Sequence, residues 1–411
     1  MERLDLIPEA QRRERLFLLD LLGDGAIGAD AAASIDPAAF LAITPKTLYP
    51  YIHWRLQQAG TDLPAALRAV LLDSYRDNAF RHLRRIADLR KIDAALKTAD
   101  IPYLVLKGPV LAAKVYPDPA TRTMTDLDLL VRDADMQRAL SALATIGYEV
   151  PLKFAGWTMQ AGDAPPLFNG QPGSPSLELH AMLDSAPDDP AGLEAAWSTA
   201  RVVDLGYGLT APALAPDEFF AHVVTHVSRH HRFEGELRSL LDVALLLRSG
   251  ETKFDWKSLE TEWDRRHITG WIHVTVSLAI ILLGAPTPAE FSANPPPHEA
   301  LLLAAEQLWV NKKKKPSDKL MNLFAGIEPA PVHAHAPGEK VPMPRGLAGM
   351  RLRALRQWER FHRTFTTLTD GTLRPRNVAR NVALFRNRER LFALVESDAN
   401  RSASPTEPPS R

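Results

Sequence analysis

Apolar residues recur every three or four positions through much of the first hundred residues. Within residues 65–99, leucines, a valine and alanines are spaced in this way between Arg and Asp side chains, which is the pattern of a helix with one buried face. We therefore predict a largely helical N-terminal region over residues 1–98. After Asp100 the pattern changes to IPYLVL, a short apolar run that is typical of a buried strand.

Helix-like and strand-like patterns then alternate as far as residue 190. GPVLAAKVY has the spacing of a short helix, DLDLLV is a strand-like run, and MQRALSALATIGY is a helix that stops at a glycine. SLELHAML follows a stretch rich in glycine and proline and alternates polar with apolar residues, as a further strand does. We predict an α/β domain over residues 99–190 with the order strand, helix, strand, helix, strand.

The remainder of the chain is predicted to be mostly helical. Residues 191–330 contain the runs DEFFAHVVTHVSRHH, ELRSLLDVALLL and WIHVTVSLAIILLG, the last too short for the ~20 residues of a membrane-spanning helix. Residues 331–345 are predicted to be a linker, residues 346–398 a basic helical segment and residues 399–411 a disordered tail. The pattern therefore indicates an α+β chain with helical regions on both sides of its sheet.

Composition excludes several functional classes. The 411 residues hold 49 basic and 49 acidic side chains, so the protein is not a polycation that coats nucleic acid, and any anion binding must be local. The chain has no cysteine, which excludes disulfides, thiol nucleophiles and Cys-ligated metals. The N-terminus lacks the pattern of a secretory signal. We expect a cytoplasmic protein without a membrane span.

Two aspartates in DLDLLV are the first candidates for catalysis. Side chains two residues apart on a strand point to the same face, so Asp126 and Asp128 would present their carboxylates together. Glu178 lies on the next predicted strand, and His180 shares its face. Mg²⁺ binds one or two carboxylates together with substrate phosphates, as phosphoryl and nucleotidyl transfer require. Asp126, Asp128 and Glu178 are therefore the predicted catalytic metal ligands.

A turn after the first predicted strand supplies candidates for phosphate binding. Lys107 carries a positive charge, and Gly108 allows a ligand to approach the backbone closely at the start of the next helix. Arg122 adds a second positive charge only four residues before Asp126. We predict that Lys107, Gly108 and Arg122 bind the phosphates of a nucleotide.

The run LVLKGPVLAAKVYPDPATRTMTDLDLLV, followed by LELH, resembles the uncharacterised bacterial nucleotidyltransferase family, a branch of the DNA polymerase β-like superfamily. The resemblance implies a mixed sheet and the Mg²⁺- or Mn²⁺-dependent transfer of a nucleoside monophosphate from an NTP, with release of pyrophosphate. Gly108, the Asp126 and Asp128 pair, and Glu178 match the superfamily's motif. Pro109 stands where the superfamily usually has serine, which removes a hydroxyl and an N–H from phosphate binding.

Histidines recur in the helical region that follows. His222, His226 and His230 are four residues apart and would line one helix face, with His231 adjacent. The spacing does not match the HExxH zinc motif, because Val223 stands where that motif has Glu. Three interpretations stay open: structural histidines, lining of the active site, and a metal site.

The resemblance also implies that His226 and Asp242 face the catalytic cleft from the second helical region. Asp242 lies in an apolar run, where a carboxylate needs a partner. Arg238, one turn earlier, can form an ion pair with it inside the same helix. Arg238 and Asp242 are therefore either cleft residues or a structural pair.

Two other functions remain open at the level of sequence. A non-catalytic member of the same fold could bind nucleotide as a sensor or scaffold. Alternatively, the arginine-rich helices of residues 346–398 could bind RNA. For the enzyme, the expected partners are an NTP and an unidentified acceptor, which could be a small molecule, a peptide, a protein or RNA.

Overall fold

A computed structural model describes most of the chain. The described residues are 2–151, 154, 164–186, 189–250, 254–288, 291, 295–310 and 375–402. Helices dominate the part before the sheet, as the apolar spacing predicted. They are α1 (Arg12–Leu22), α2 (Ala29–Ala33), α3 (Pro37–Ile43), α4 (Tyr49–Ala59) and the long α5 (Ala65–Thr98).

A five-stranded mixed sheet follows, which confirms the predicted α+β fold class. Its spatial order is β3-β2-β1-β5-β4. The β2–β3 and β1–β5 pairs are parallel, whereas the β1–β2 and β4–β5 pairs are antiparallel. The strands are β1 (Tyr103–Val105), β2 (Asp126–Val131), β3 (Ser176–His180), β4 (Arg201–Asp204) and β5 (Thr210–Ala213).

The alternation along β3 sets which side chains reach the core. Leu177 and Leu179 are fully buried, whereas Glu178 and His180 on the opposite face are half-buried, because successive residues of a strand point to opposite faces. In the parallel pairing of β2 with β3, Asp128 lies opposite Glu178. The two predicted acidic positions are therefore neighbours across the sheet.

The sequence pattern predicts neither β4 nor β5, which lie inside the region that it indicates to be helical. β4 is an edge strand with Val202 largely exposed, so it lacks the apolar alternation that marks a half-buried strand. β5 contains Pro212, a residue that normally argues against a strand. Both strands form because β5 pairs with the buried β1.

The helices after β1 are α6 (Gly108–Lys114), α7 (Met136–Ala144), α8 (Pro190–Ser198), α9 (Pro216–Thr225), α10 (Leu237–Ser249), α11 (Trp256–Arg265), α12 (Thr269–Leu283), α13 (His298–Leu308) and α14 (Pro375–Ser402). Helices α6 and α7 connect the strands β1, β2 and β3, and α9 and α10 lie across the end of the sheet. Among the described residues, no helix combines the length and apolar character needed to cross a bilayer.

The last helix extends further than predicted. α14 ends at Ser402, four residues into the predicted tail, because the first proline after Pro375 that could stop it is Pro405. The rest of that tail, the predicted linker at 331–345 and residues 346–374 of the basic segment lie outside the described residues.

One hydrophobic cluster joins the elements from the N-terminal helices to α14. It includes Leu6 and Leu18 near the start of the chain, the buried strand residues, the interior of α12, and Val395. α12 is buried along most of its length, as its apolar run predicted. Val395 packs against Gly270, where an added Cβ would lie 3.0 Å from Val395 Cγ1.

Helix α5 holds the loop that precedes β2. The Nδ2 atom of buried Asn78 donates to the carbonyl oxygens of Ala120, at 2.6 Å, and Arg122, at 3.1 Å. Arg85 donates to the carbonyl oxygen of Met124. These bonds satisfy backbone groups that would otherwise be buried unpaired. The loop is therefore fixed from behind by the N-terminal helices.

Candidate active site

A cavity of about 580 Å³ lies at the end of the sheet where β2 and β3 meet helices α9 and α10. It is rich in charged and histidine side chains. Every site residue predicted from the sequence lines it: Lys107, Gly108, Arg122, Asp126, Asp128, Glu178, His180, His226, Arg238 and Asp242.

Asp128 is the centre of the site. Its buried Oδ1 atom lies 3.0 Å from the Nζ atom of Lys107 and 3.0 Å from the Nε2 atom of His180. Glu178 Oε2 lies 4.0 Å from the same His180 nitrogen. One ligand atom from each of Asp128, Glu178 and His180 falls within 4.8 Å of the others. A divalent cation can be held by such a set after small rotations of the side chains.

Asp126 lies at the rim of this set. It is half-buried, pairs in register with Ser176 at the start of β3, and accepts a hydrogen bond of 3.2 Å from the Thr125 hydroxyl. It lines the cavity together with Asp128, as expected for two residues on one face of β2. The three residues whose ligand atoms lie close together are Asp128, Glu178 and His180. The sequence predicted Asp126, not His180, as the third ligand.

The electrostatic environment separates the two central carboxyl groups. Burial alone would raise the pKa of Asp128, but the Lys107 ammonium and the His180 hydrogen bond outweigh it and hold that pKa well below its ordinary value. Burial raises the pKa of Glu178, and the charges of Asp128 and Asp126 raise it further. Glu178 therefore takes up a proton at a higher pH than Asp128 does.

Lys107 stands in an unusual backbone conformation between β1 and α6. Its φ of 43° and ψ of −100° lie outside the regions favoured by L-residues. Such outliers concentrate where the surrounding structure fixes a functional side chain. The Lys107 side chain is buried, and burial, which lowers the pKa of an ammonium, is outweighed by the charges of Asp128 and Asp184.

Gly108 allows its neighbours to pack against the turn. A Cβ atom at this position would lie 2.8 Å from Met124 Sδ and 3.2 Å from Arg122 Nη1. Pro109 is buried in the first turn of α6, where its missing N–H costs little because the first helical N–H groups have no partner within the helix. The guanidinium of Arg122 is thereby brought next to the Lys107-Gly108 turn.

Arg122 forms a buried ion pair with Asp242. Its Nε and Nη2 atoms each lie 2.9 Å from a carboxylate oxygen of Asp242 on α10. The Tyr116 hydroxyl donates to the same carboxylate at 2.7 Å. Arg238, the partner expected from the sequence, lies further away, with Nη1 3.6 Å from Asp242 Oδ2. The intrahelical pair is present, but Arg122 is the closer partner.

The histidines of α9 and the following turn form the opposite wall around Asp184. His226 Nδ1 lies 2.8 Å, and His230 Nδ1 3.2 Å, from oxygens of this carboxylate. His222 Nδ1 is 3.8 Å away. His226 also reaches toward the Asp128 side of the cavity, because its Nε2 atom lies 3.5 Å from Lys107 Nζ.

Burial keeps His222 and His226 neutral near pH 7. It lowers the pKa of His222 to about 4, although the charge of Asp184 opposes the change. It lowers the pKa of His226 to about 3, and the nearby Lys107 charge adds to the effect.

Sequence reasoning missed two residues of the site. Asp184 follows β3 by four residues, and a polar residue shortly after a buried strand is a common sign of a site. That signal does not reveal its histidine partners on α9 and in the turn that follows it. Tyr116 was expected at the end of a helix, and its hydroxyl reaches Asp242 across 126 residues of sequence. Spacing along the chain does not predict contacts at that distance.

Comparison with known proteins agrees with this geometry. The family profile described as uncharacterised nucleotidyltransferase matches residues 34–284, more than half of the chain. No curated protein matches the chain. The matched region includes the mixed sheet, the Lys107-Gly108 turn and the carboxylates of β2 and β3. The chain therefore belongs to the uncharacterised nucleotidyltransferase family.

Proposed function

We propose that the protein transfers a nucleoside monophosphate from an NTP to the hydroxyl group of an acceptor. The acceptor oxygen attacks the α-phosphorus, the bond between that phosphorus and the oxygen bridging to the β-phosphate breaks, and pyrophosphate leaves. The observation that carries this proposal is the register of Asp128 with Glu178 on adjacent parallel strands, beside Lys107, in one cavity. Membership of the family supports the same reaction.

The donor set fits a divalent cation. Asp128 and Glu178 supply oxygen atoms, which Mg²⁺ and Mn²⁺ both accept, and Asp126 lines the same cavity from the same face of β2. The proposed metal ligands are therefore Asp126, Asp128 and Glu178. When bound, the cation supplies neutralisation of the charge that develops on the phosphate oxygens.

The surrounding side chains are proposed to bind and orient the nucleotide. The Lys107 ammonium can exchange its contact with Asp128 for one with a phosphate oxygen, since both partners are anionic. Arg122 Nη1 lies beside the turn of Gly108, and the ion pair with Asp242 holds it there. The proton of the attacking hydroxyl passes to Glu178 or to His180, both of which line the cavity.

Two substitutions test the site. Asp128→Asn and Glu178→Gln keep the size of each side chain but remove its charge, and each is expected to abolish transfer of label from α-labelled NTPs. Asp133→Asn, an exposed aspartate just after the same strand, is the matched control and should retain full transfer. Turnover that persists in both site variants would overturn the assignment.

The same variants separate an enzyme from a non-catalytic member of the fold. Calorimetry with Mg-ATP and Mg-CTP measures binding, and pyrophosphate release measures turnover. The enzyme predicts both, and both should depend on Asp128. Binding that needs Asp128 without any pyrophosphate release would identify a nucleotide sensor, in which Pro109 has ended catalysis.

The acceptor can be identified by the labelled nucleotide that the protein transfers to it. Purified protein and α-labelled NTPs are incubated with a cell extract, and the labelled product is then identified as small molecule, peptide, protein or RNA. Because the chain has no cysteine and no described helix that spans a membrane, we propose the cytoplasm as the source of that extract.

A further inference from the structure

We propose that His226, His230 and His231 form a second cation site in the histidine wall of the cavity, suited to a borderline transition metal such as Zn²⁺. This goes beyond the proposed function, whose carboxylate site takes a harder cation. One ring nitrogen from each of the three residues lies within 4.8 Å of the others.

A π-turn creates this cluster. Residues 226–230 follow α9 as one turn of π-helix, closed by a backbone hydrogen bond of 3.0 Å from the N–H of His231 to the carbonyl oxygen of His226. In this turn, residues five apart come together, unlike in an α-helix, where residues four apart do. His226 and His231 therefore meet, with their Nε2 atoms 3.1 Å apart and their ring centroids 4.4 Å apart.

Asp184 contacts the cluster in the way that a carboxylate often contacts the second ring nitrogen of a metal-binding histidine. It lies 2.8 Å from His226 Nδ1, and a carboxylate at this nitrogen holds the proton there and leaves Nε2 with a lone pair for a metal. The Nε2 atom is the one that faces His231. Carboxylate, histidine and metal would then lie in the order common at zinc sites.

Distances are compatible with zinc after a modest adjustment. Zinc binds imidazole nitrogens at about 2.0–2.1 Å, so two ligands at a tetrahedral centre lie roughly 3.3 Å apart. The His226 and His231 nitrogens already lie at 3.1 Å. His230 is further away, but its side chain is 53% exposed, so its ring can turn toward the ion without disturbing the core.

Charge near the cluster is balanced. The Lys107 ammonium, 3.5 Å from His226 Nε2, opposes a cation there. The Asp184 carboxylate lies against the same histidine, and Asp128 holds Lys107 at 3.0 Å. The carboxylates of Asp184 and Asp128 therefore outnumber the one ammonium. Three imidazoles without a directly ligating carboxylate favour zinc over magnesium, because imidazole is a softer ligand than oxygen.

Zinc binding to the full-length chain, freed of metal by chelation and dialysis, tests this site. Calorimetric titration with Zn²⁺, in excess Mg²⁺ to occupy the carboxylate site, is expected to give one zinc ion per chain. His230→Gln and His231→Gln each remove a ligand and should weaken binding at least about tenfold, no less than the loss of an outer partner does. Asp184→Asn should weaken it about 10- to 100-fold. Circular dichroism shows whether each variant is folded, and the exposed His230 provides the least disruptive variant.

Two controls locate the ion. His298→Gln changes an exposed histidine outside the cavity and should bind zinc as the wild type does. Asp128→Asn should weaken zinc binding much less than His231→Gln does, since Asp128 belongs to the other group of ligands and acts on the cluster only through Lys107. Absence of zinc binding, or binding that survives His230→Gln and His231→Gln but is lost in Asp128→Asn, would overturn the proposal. In that case the contact of His226 with His231 is an N–H to nitrogen hydrogen bond.

Discussion

Arg122 and Asp242 form a bidentate ion pair although 120 residues separate them. Both side chains are buried, at 5% and 3% exposure. The pair joins the loop before β2 to helix α10, and thus ties the carboxylate strand to the helical wall of the cavity. A buried pair of this kind fixes the position of the loop relative to the helix. If either partner is removed, the other is left as an uncompensated buried charge.

Removal of one partner should therefore cost much stability. Asp242→Asn is expected to lower the free energy of unfolding by about 3 to 5 kcal/mol, measured by urea denaturation. Glu194→Gln is the control, because Glu194 forms a similar two-point pair with Arg132 on the surface. That variant should unfold at the wild-type urea concentration. An equal loss in both variants would contradict the role given to the buried pair.

Lys107→Met should affect metal and nucleotide in opposite directions. The ammonium of Lys107 now neutralises Asp128 at 3.0 Å, so its removal strengthens the attraction of that carboxylate for a cation. We expect tighter Mn²⁺ binding and weaker NTP binding, both by calorimetry. Lys114→Met, on the exposed side of α6, should change neither. Weaker binding of both ligands to Lys107→Met would show that Lys107 mainly supports the local fold.

Asn78 should be needed to hold the loop that carries Arg122. Asn78→Ala leaves the carbonyl oxygens of Ala120 and Arg122 without their donor, at an expected cost of about 1 to 3 kcal/mol in unfolding free energy. NTP affinity should fall as well, because the loop borders the cavity. Asp73→Ala, at an exposed position of the same helix, is the control for helix propensity. Unchanged stability in Asn78→Ala would argue that water replaces the amide.

His82 should make the protein less stable in mild acid. Burial lowers its pKa, the Arg85 charge lowers it further, and the Asp118 charge opposes them. Neither ring nitrogen has a hydrogen-bond partner in the part of the chain that the structure describes. The folded state thus binds this proton less readily than the unfolded chain, whose histidine pKa is near 6.5. Stability is retained above that pH and is lost as the pH falls below it.

The measurement is the slope of unfolding free energy between pH 7 and pH 5. His82→Leu should show a shallower slope than the wild type, because the group that resists protonation is gone. His298→Leu should keep the wild-type slope, because His298 is exposed to solvent in the folded state. A slope that His82→Leu leaves unchanged would assign the acid sensitivity to other buried histidines.

Local patterns were sufficient to predict much of the fold and the carboxylates of the site. The alternation in SLELH placed Glu178 on the face opposite the buried leucines, and the structure adds that its register neighbour on β2 is Asp128. These predictions succeed because a strand's period of two is set by backbone geometry. Whether these residues bind metal and transfer nucleotides stays a prediction.

What the sequence could not predict depends on long-range contacts or on irregular backbone. The meeting of His226 with His231 needs a π-turn, whereas a regular helix predicts the spacing of His226 and His230. The ion pair of Arg122 with Asp242 forms because the loop before β2 packs against α10, far away in the sequence. β5 is a strand because β1 offers it a parallel partner, despite its proline.

The hydrophobic cluster that reaches Val395 extends beyond the region shared with the family, which ends at residue 284. Trp271 of α12 illustrates the difference: its Nε1 atom donates to Glu396 at 2.9 Å, and its ring packs against Phe392. A fragment cut at the family boundary would expose this surface to water. The region that the family profile matches is thus smaller than the hydrophobic core of this chain, and α14 is a structural part of that core.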